Sequence, residues 1–192
     1  MAQQTFTESN FKTQVLSAEN ISFRRVQMED LPLLHRWLNE PHVHAWYDKD
    51  EEQTFDHVSK EYLPKITGEE PTKGYIVLYD TYPVAYIQSY RAGDWPEFSH
   101  ITGYGASDAG VDLFVGDPKL MGKGFGTMMI KKFLQEIIFV DPGIKKCFID
   151  PEPNNKRAIR AYEKAGFRYV KTVQMPDEPD PSYFMEINKE EQ

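Results

Sequence analysis

Two stretches decide the fold of this chain: GVDLFVGDPKLMGKGFGTMMI, from Gly110 to Ile130, and FIDPEPNNKRAIRAYEKAGF, from Phe148 to Phe167. The first reads as a strand, an acidic turn, a glycine-rich loop and an amphipathic helix. Its MGKGFG string (Met121 to Gly126) puts glycine where a backbone must turn tightly and where a ligand can approach without meeting a Cβ. Free N–H groups opening the following helix, together with its dipole, suit a pyrophosphate. The string is no Walker loop, because Lys123 is not followed by Gly-Lys-Ser/Thr at the required spacing. Nor is it the dinucleotide fingerprint, which needs GxGxxG directly after a strand. The second stretch reads as a strand, a proline turn and a helix carrying Asn155, Ala158 and Tyr162 on one face. There an amide can fix an extended chain, a small residue can let it pass, and a phenol can reach a sulfur.

Outward from these stretches the pattern alternates. Ile21 to Val26 predicts a strand, and Leu31, Leu34 and Leu38 a helix ending near Pro41. Phe55, Val58 and Tyr62 predict a second helix that stops around Pro64. GYIVLYDTYPVAYIQSYRA predicts two strands joined at Asp80–Thr81. Phe125, Met128, Met129, Phe133, Ile137 and Ile138 form the apolar stripe of the helix after the glycine loop. KKCFID is a further strand, Asn155 to Ala165 a helix, and Gly166 its stop signal. Two last strands, Phe167 to Met175 and Tyr183 to Ile187, flank the turn-rich PDEPDPS. Residues 92–118 hold five acids and no Lys or Arg, and read as a solvated loop and strand. Residues 1–20 read as a flexible or loosely docked arm before a domain spanning 21–192. The order β-α-α-β-β-β-α-β-α-β-β predicts a single mixed α/β sheet with helices on its faces.

Charge narrows the function. Against 22 basic residues stand 30 acidic ones, a net charge of −8. Such a chain repels nucleic-acid phosphates on average and attracts a small polycation. Cys147 is the only cysteine, so no intrachain disulfide forms, and its apolar surroundings make it a core thiol. No apolar run reaches the ~20 residues of a membrane span, and the first residues are too polar for a signal peptide, which implies a cytoplasmic protein without a membrane partner. His42 and His44 match no metal-ligand spacing, so no metal is expected.

The two stretches resemble the acetyl-CoA motifs of the GNAT superfamily of N-acetyltransferases. That family's phosphate loop is usually Gln/Arg-x-x-Gly-x-Gly/Ala, from which MGKGFG departs by placing Met121 first. Its later helix, Asn-x-x-Ala-x-x-x-Tyr-x-Lys-x-Gly-Phe, is matched in full from Asn155 to Phe167. The resemblance implies a mostly antiparallel central sheet splayed at the fourth and fifth strands, with acetyl-CoA as co-substrate. By it, the Phe114 and Val115 backbone pairs with pantetheine. Met121, Gly122, Lys123, Gly124, Phe125, Gly126 and Thr127 hold the pyrophosphate, and Asn155 holds the pantetheine arm. Tyr162 then protonates the departing thiolate.

Amide formation also needs a base for the incoming ammonium, and Asp112 stands two or three residues before the implied thioester position. Within the superfamily the chain looks most like the aminoglycoside 6′-N-acetyltransferases, on WLNEPHVHAWY, EYLP, AYIQSY, VDLFVG and the helix stretch. This implies an acceptor pocket of Trp46, Tyr62, Gln88 and Tyr90, with Asp112, Asp150 and Asp177 binding ammonium groups. Aromatic faces and carboxylates are the groups that receive a cationic sugar. Other acceptors stay open at this stage: the hydroxylysine of siderophore-pathway acyltransferases, a polyamine or a peptide. So do a non-catalytic acyl-CoA-binding module, and a monomer or a homodimer.

Overall fold

The computed structural model describes residues 16–47, 52–176 and 179–191. Seven strands form one sheet: β1 (Ile21–Arg25), β2 (Lys73–Tyr79), β3 (Tyr82–Arg91), β4 (Asp108–Val115), β5 (Lys146–Ile149), β6 (Arg168–Val173) and β7 (Ser182–Asn188). Their order across the sheet is β1-β2-β3-β4-β5-β7-β6. Every neighbouring pair is antiparallel except β4 and β5. The β4–β5 ladder covers only Asp108 to Gly110 against Lys146 to Phe148. Beyond Gly110, β4 runs on to Val115 paired with β3 alone, so the sheet opens into a wedge at its centre.

Helices cover both faces. On one, α5 (Phe125–Phe133, extended by a π-helical turn, Leu134–Ile138) and α6 (Lys156–Ala165) close the main core over Val77, Ile87, Val111 and Cys147. Phe133 is fully buried there, with the edges of Phe23 and Tyr75 against it at 5.1 and 5.3 Å. A side chain of that size contributes about 1.5–3 kcal/mol by leaving water. On the other face, α1 (Leu31–Leu38), α2 (Pro41–His44) and α3 (Phe55–Thr67) cover Ile76, Tyr86 and Phe114. Asp30 fixes the start of α1: it accepts from both Arg24 guanidinium nitrogens (2.6 and 2.7 Å) and from the Gln27 amide (2.9 Å).

Two sequence expectations change. Pro64 lies inside α3, not at its end. The helix runs to Thr67 because the Gly68 and Glu70 amides both close onto the Pro64 carbonyl, at 3.0 and 3.1 Å. The acid-only stretch contains a helix, α4 (Pro96–Thr102), with Pro at its first position and Gly103 after its last. Phe98 anchors it by stacking on Phe148 at 5.6 Å. Residues 16–20, the described part of the expected arm, are docked against the sheet and α5. Leu16 packs on the main core, the Ser17 amide donates to Tyr79 (3.2 Å), and Lys132 donates to the Ala18 carbonyl (3.0 Å).

Candidate active site

The wedge between β4 and β5 opens into a cleft of about 1140 Å³. One wall is the glycine loop. Gly124 has φ +80°, a left-handed backbone that glycine adopts without penalty, and it is the residue from which α5 starts. The first turn of α5, from Phe125 through Gly126 to Thr127, therefore faces the cleft. The Phe125 side chain turns away, 1% exposed and edge-on to Tyr79, which leaves its backbone as the part that meets a ligand. The Thr127 hydroxyl donates to the Ala161 carbonyl (3.1 Å) and docks α5 against α6. Met121 and Gly122 also line the cleft, whereas the exposed Lys123 is not part of its lining.

The opposite wall comes from α6. Asn155 is its N-cap, the Oδ1 accepting from the Ala158 amide at 3.1 Å. Capping and ligand binding are compatible here, because capping uses the oxygen while the NH2 group of the same cleft-lining residue can donate. Tyr162 lies one face along, 7% exposed. Burial, reinforced by Asp112 and Asp150, pushes its phenol well above the ordinary value, so it holds its proton at neutral pH.

The floor belongs to β4. Gln88 and Asp112 face each other in the β3–β4 register, and Asp112 stands two residues past the last β5 pairing. A directed chain runs through them. The Tyr86 hydroxyl donates to Gln88 Oε1 (2.9 Å), and Gln88 Nε2 donates to Asp112 Oδ2 (2.9 Å). Burial raises the Asp112 carboxyl above its usual range, against the lowering effect of the Gln88 hydrogen bond and of Lys65, which makes it a stronger base than a surface aspartate.

Residues 26–175 match the acetyltransferase (GNAT) domain family. The chain belongs to the GNAT acetyltransferase family. It is 37% identical to the aminoglycoside N(6′)-acetyltransferase type 1 of Klebsiella pneumoniae over 168 residues, which are 85% of this chain and 81% of that one. A structure of AAC(6′)-Ib in complex with paromomycin and acetyl-CoA superposes with a TM-score of 0.79 at 33% identity, covering 89% of this chain and 94% of the other. A second, of AAC(6′)-Ib with coenzyme A and kanamycin, gives 0.78 at 33% identity, covering 88% and 95%. The chain is an N-acetyltransferase with acetyl-CoA as co-substrate. No group of potential metal ligands occurs among the described residues, and none of their helices is long and apolar enough to cross a membrane.

In this acetyltransferase the structure gathers most of the expected site residues around the cleft and separates others. Trp46 (43% exposed), Gln88, Asp112 and Asp150 line it. Tyr62 does not. It is fully buried, edge-on to Tyr86 at 5.2 Å, because Val58, Tyr62 and Lys65 form the inward stripe of α3. Its neighbour Glu61, about 100° around the helix, lines the cleft instead and pairs with Lys65. Tyr90 lies over Gly110, where any Cβ would collide with its ring, and lines a smaller pocket of about 270 Å³ with Thr72, Trp95 and Phe98. That pocket shares Gln88 and Asp112 with the main cleft. Phe114 packs its ring against Tyr47 (5.1 Å) and Tyr86 (5.4 Å), so only its backbone is available to a ligand. The Val115 carbonyl accepts from His42 Nε2 at 2.8 Å. Asp177 lies outside the described residues, but Asp180 of the same turn-rich segment reaches the cleft.

Sequence reading missed Glu61, His42, Arg157, Arg160 and Asp180, all in the lining. Helix phase was the usable signal for Glu61, since the apolar stripe already sends Tyr62 inward. His42 reaches Val115 across 73 residues, a pairing with no local signature.

Proposed function

We propose that this enzyme acetylates a primary amine of an aminoglycoside, the 6′-amine, by direct transfer from acetyl-CoA in a ternary complex. The carrying observation is the set of carboxylates that line the cleft. Glu61, Asp112, Asp150, Glu152 and Asp180 supply five carboxylates from α3, β4 and the turns beside β5 and β7. The cationic side chains of the lining, Arg157, Arg160 and Lys164, all come from α6. A polycationic sugar suits the first group and a phosphorylated cofactor the second. Trp46 adds an exposed aromatic face to the lining, suited to a cation or a sugar ring. The relatives named for 6′-acetylation, and the neighbours holding aminoglycosides, support the same acceptor.

The chemistry follows from the residues. Asp112, directly or through a water, takes a proton from the acceptor ammonium. The freed amine nitrogen attacks the thioester carbonyl carbon and the tetrahedral adduct collapses. As the C–S bond breaks, its electron pair stays on sulfur and Tyr162 gives that thiolate its proton. The second proton, shed by the adduct nitrogen as it becomes the neutral amide, passes through water to restore the phenol. Holding both reactants in one cleft contributes up to ~7–11 kcal/mol in favourable cases. A thiol-release assay with acetyl-CoA against kanamycin, spermidine, hydroxylysine and a peptide amine tests the reading. Turnover concentrated on kanamycin is expected. Turnover confined to hydroxylysine would replace this acceptor with a siderophore precursor.

A further inference from the structure

The glycine loop lacks a polar side chain at its first position. The family's loop usually carries Gln or Arg there, and this chain carries Met121. A cation nevertheless reaches the loop from the other wall. Arg157, in the first turn of α6, brings Nη2 to 3.7 Å from the point where Gly122 would carry a Cβ. Both residues line the cleft together with Gly124 and Gly126. Among the described residues, the exposed Arg157 side chain has no hydrogen bond and no ion pair. Its neighbours on the helix differ. Arg160 turns its Nε back onto the Lys156 carbonyl at 3.1 Å, which spends that nitrogen within α6. The reading of Arg157 as one more solvated charge on a helix face does not account for a guanidinium poised over a left-handed glycine.

We propose that Arg157 is the cation that holds the coenzyme A pyrophosphate over the glycine loop, taking the part that residue 121 does not play in this chain. The proposal rests on the coenzyme A reading of the cleft. Loop and helix amides approach the phosphates from one side, and the guanidinium closes over them from the other. Its planar fork offers paired N–H donors that match two phosphate oxygens, which an ammonium on a flexible stem does not. The cofactor phosphates would then link the two walls of the wedge, α5 through its amides and α6 through Arg157.

Calorimetric titration of coenzyme A tests this without any acceptor. Arg157→Met, which keeps an unbranched stem and removes the charge, is expected to weaken coenzyme A binding by about tenfold or more, as for other charge-assisted contacts. It should also flatten the dependence of affinity on salt. Pantetheine, which has no phosphate, should compete equally well against both proteins. Adding Met121→Arg to Arg157→Met should recover most of the lost affinity. Exposure of Arg157 makes the variant safe for folding, and a melting curve checks that. Equal coenzyme A affinity in wild type and Arg157→Met would overturn the proposal. So would a parallel loss for coenzyme A and pantetheine. Failure of the wild type itself to bind coenzyme A would overturn the cofactor reading beneath it.

Discussion

Gly126 separates the demands of the fold from the demands of the ligand. It is the second residue of α5 and lines the cleft, yet beyond its chain neighbours and its own helix backbone no protein atom lies within 4 Å of where its Cβ would stand. Gly126→Leu therefore meets no clash at Cβ and replaces a poor helix former with a good one, worth about 0.5–1 kcal/mol in a helix. For a chain of this size that raises the melting temperature by about 1–4 °C. The same side chain stands over the α5 amides that would receive the phosphates. A hydrogen bond to a charged group contributes about 1.5–3 kcal/mol, so displacing one or two costs on the order of 3 kcal/mol, or about a hundredfold in affinity. Gly126→Ala, the small residue that the family's loop admits, should gain most of the stability and lose little affinity. Thermal melting without ligand and calorimetric titration of coenzyme A read the two effects, which have opposite signs for Gly126→Leu. A drop in both quantities would mean that the glycine serves the fold. Unchanged affinity would remove the phosphates from the first turn of α5.

Asp112 makes a second case of opposed effects. Between the ordinary carboxylate value of 3.8 and its raised one, the folded chain holds a proton that the unfolded chain has released, so stability falls as pH rises through that window. Asp112→Asn should thus melt higher than wild type at pH 7, and no higher below the ordinary carboxylate value. It should lower kcat by about 10²-fold or more while coenzyme A affinity holds. Steady-state kinetics and melting at two pH values test both parts, and loss of stability at pH 7 would contradict the burial argument. Tyr162→Phe should reduce kcat by about 10²-fold, with coenzyme A affinity changing far less. Equal turnover would take the phenol out of thiolate protonation. Cys147 is fully buried, and burial pushes its thiol well above the ordinary value. An alkylating reagent should leave the folded enzyme active and label it only in denaturant; inactivation of the folded form would contradict that placement.

Local rules carried the sequence reading as far as they reach. Glycine at 122 and 124, the Asn155–Ala158–Tyr162 spacing and the two β-rich runs of β2 and β3 are each decided within a few residues, and each appears where it was expected. The α4 helix was equally local, bracketed by Pro96 and Gly103, but five acids in the surrounding stretch outweighed that signal. Tyr62 shows the opposite limit. It lies within the expected helix, yet its destination depends on which way the α3 stripe faces, and one residue of phase exchanges a buried phenol for the cleft-facing Glu61.

The same arithmetic governs the proposed base. In an antiparallel ladder a slip of one residue sends every side chain to the other face. Pairing Gln88 with Asp112, rather than with Leu113, puts a hydrogen-bond donor against the carboxylate and keeps Val111 and Leu113 with the α5–α6 core. That register cannot be read from either strand alone. Three features lock it: Tyr86 stacks on Phe114 at 5.4 Å, Tyr90 occupies the space left by Gly110, and the Gly116 and Asp117 amides both close onto the Val84 carbonyl. All three sit along the β3–β4 ladder, and the last of them leads into the turn that precedes the glycine loop. Tyr86→Leu, which removes both the stack on Phe114 and the hydroxyl that orients Gln88, should disturb turnover and the Asp112 pH dependence more than coenzyme A binding.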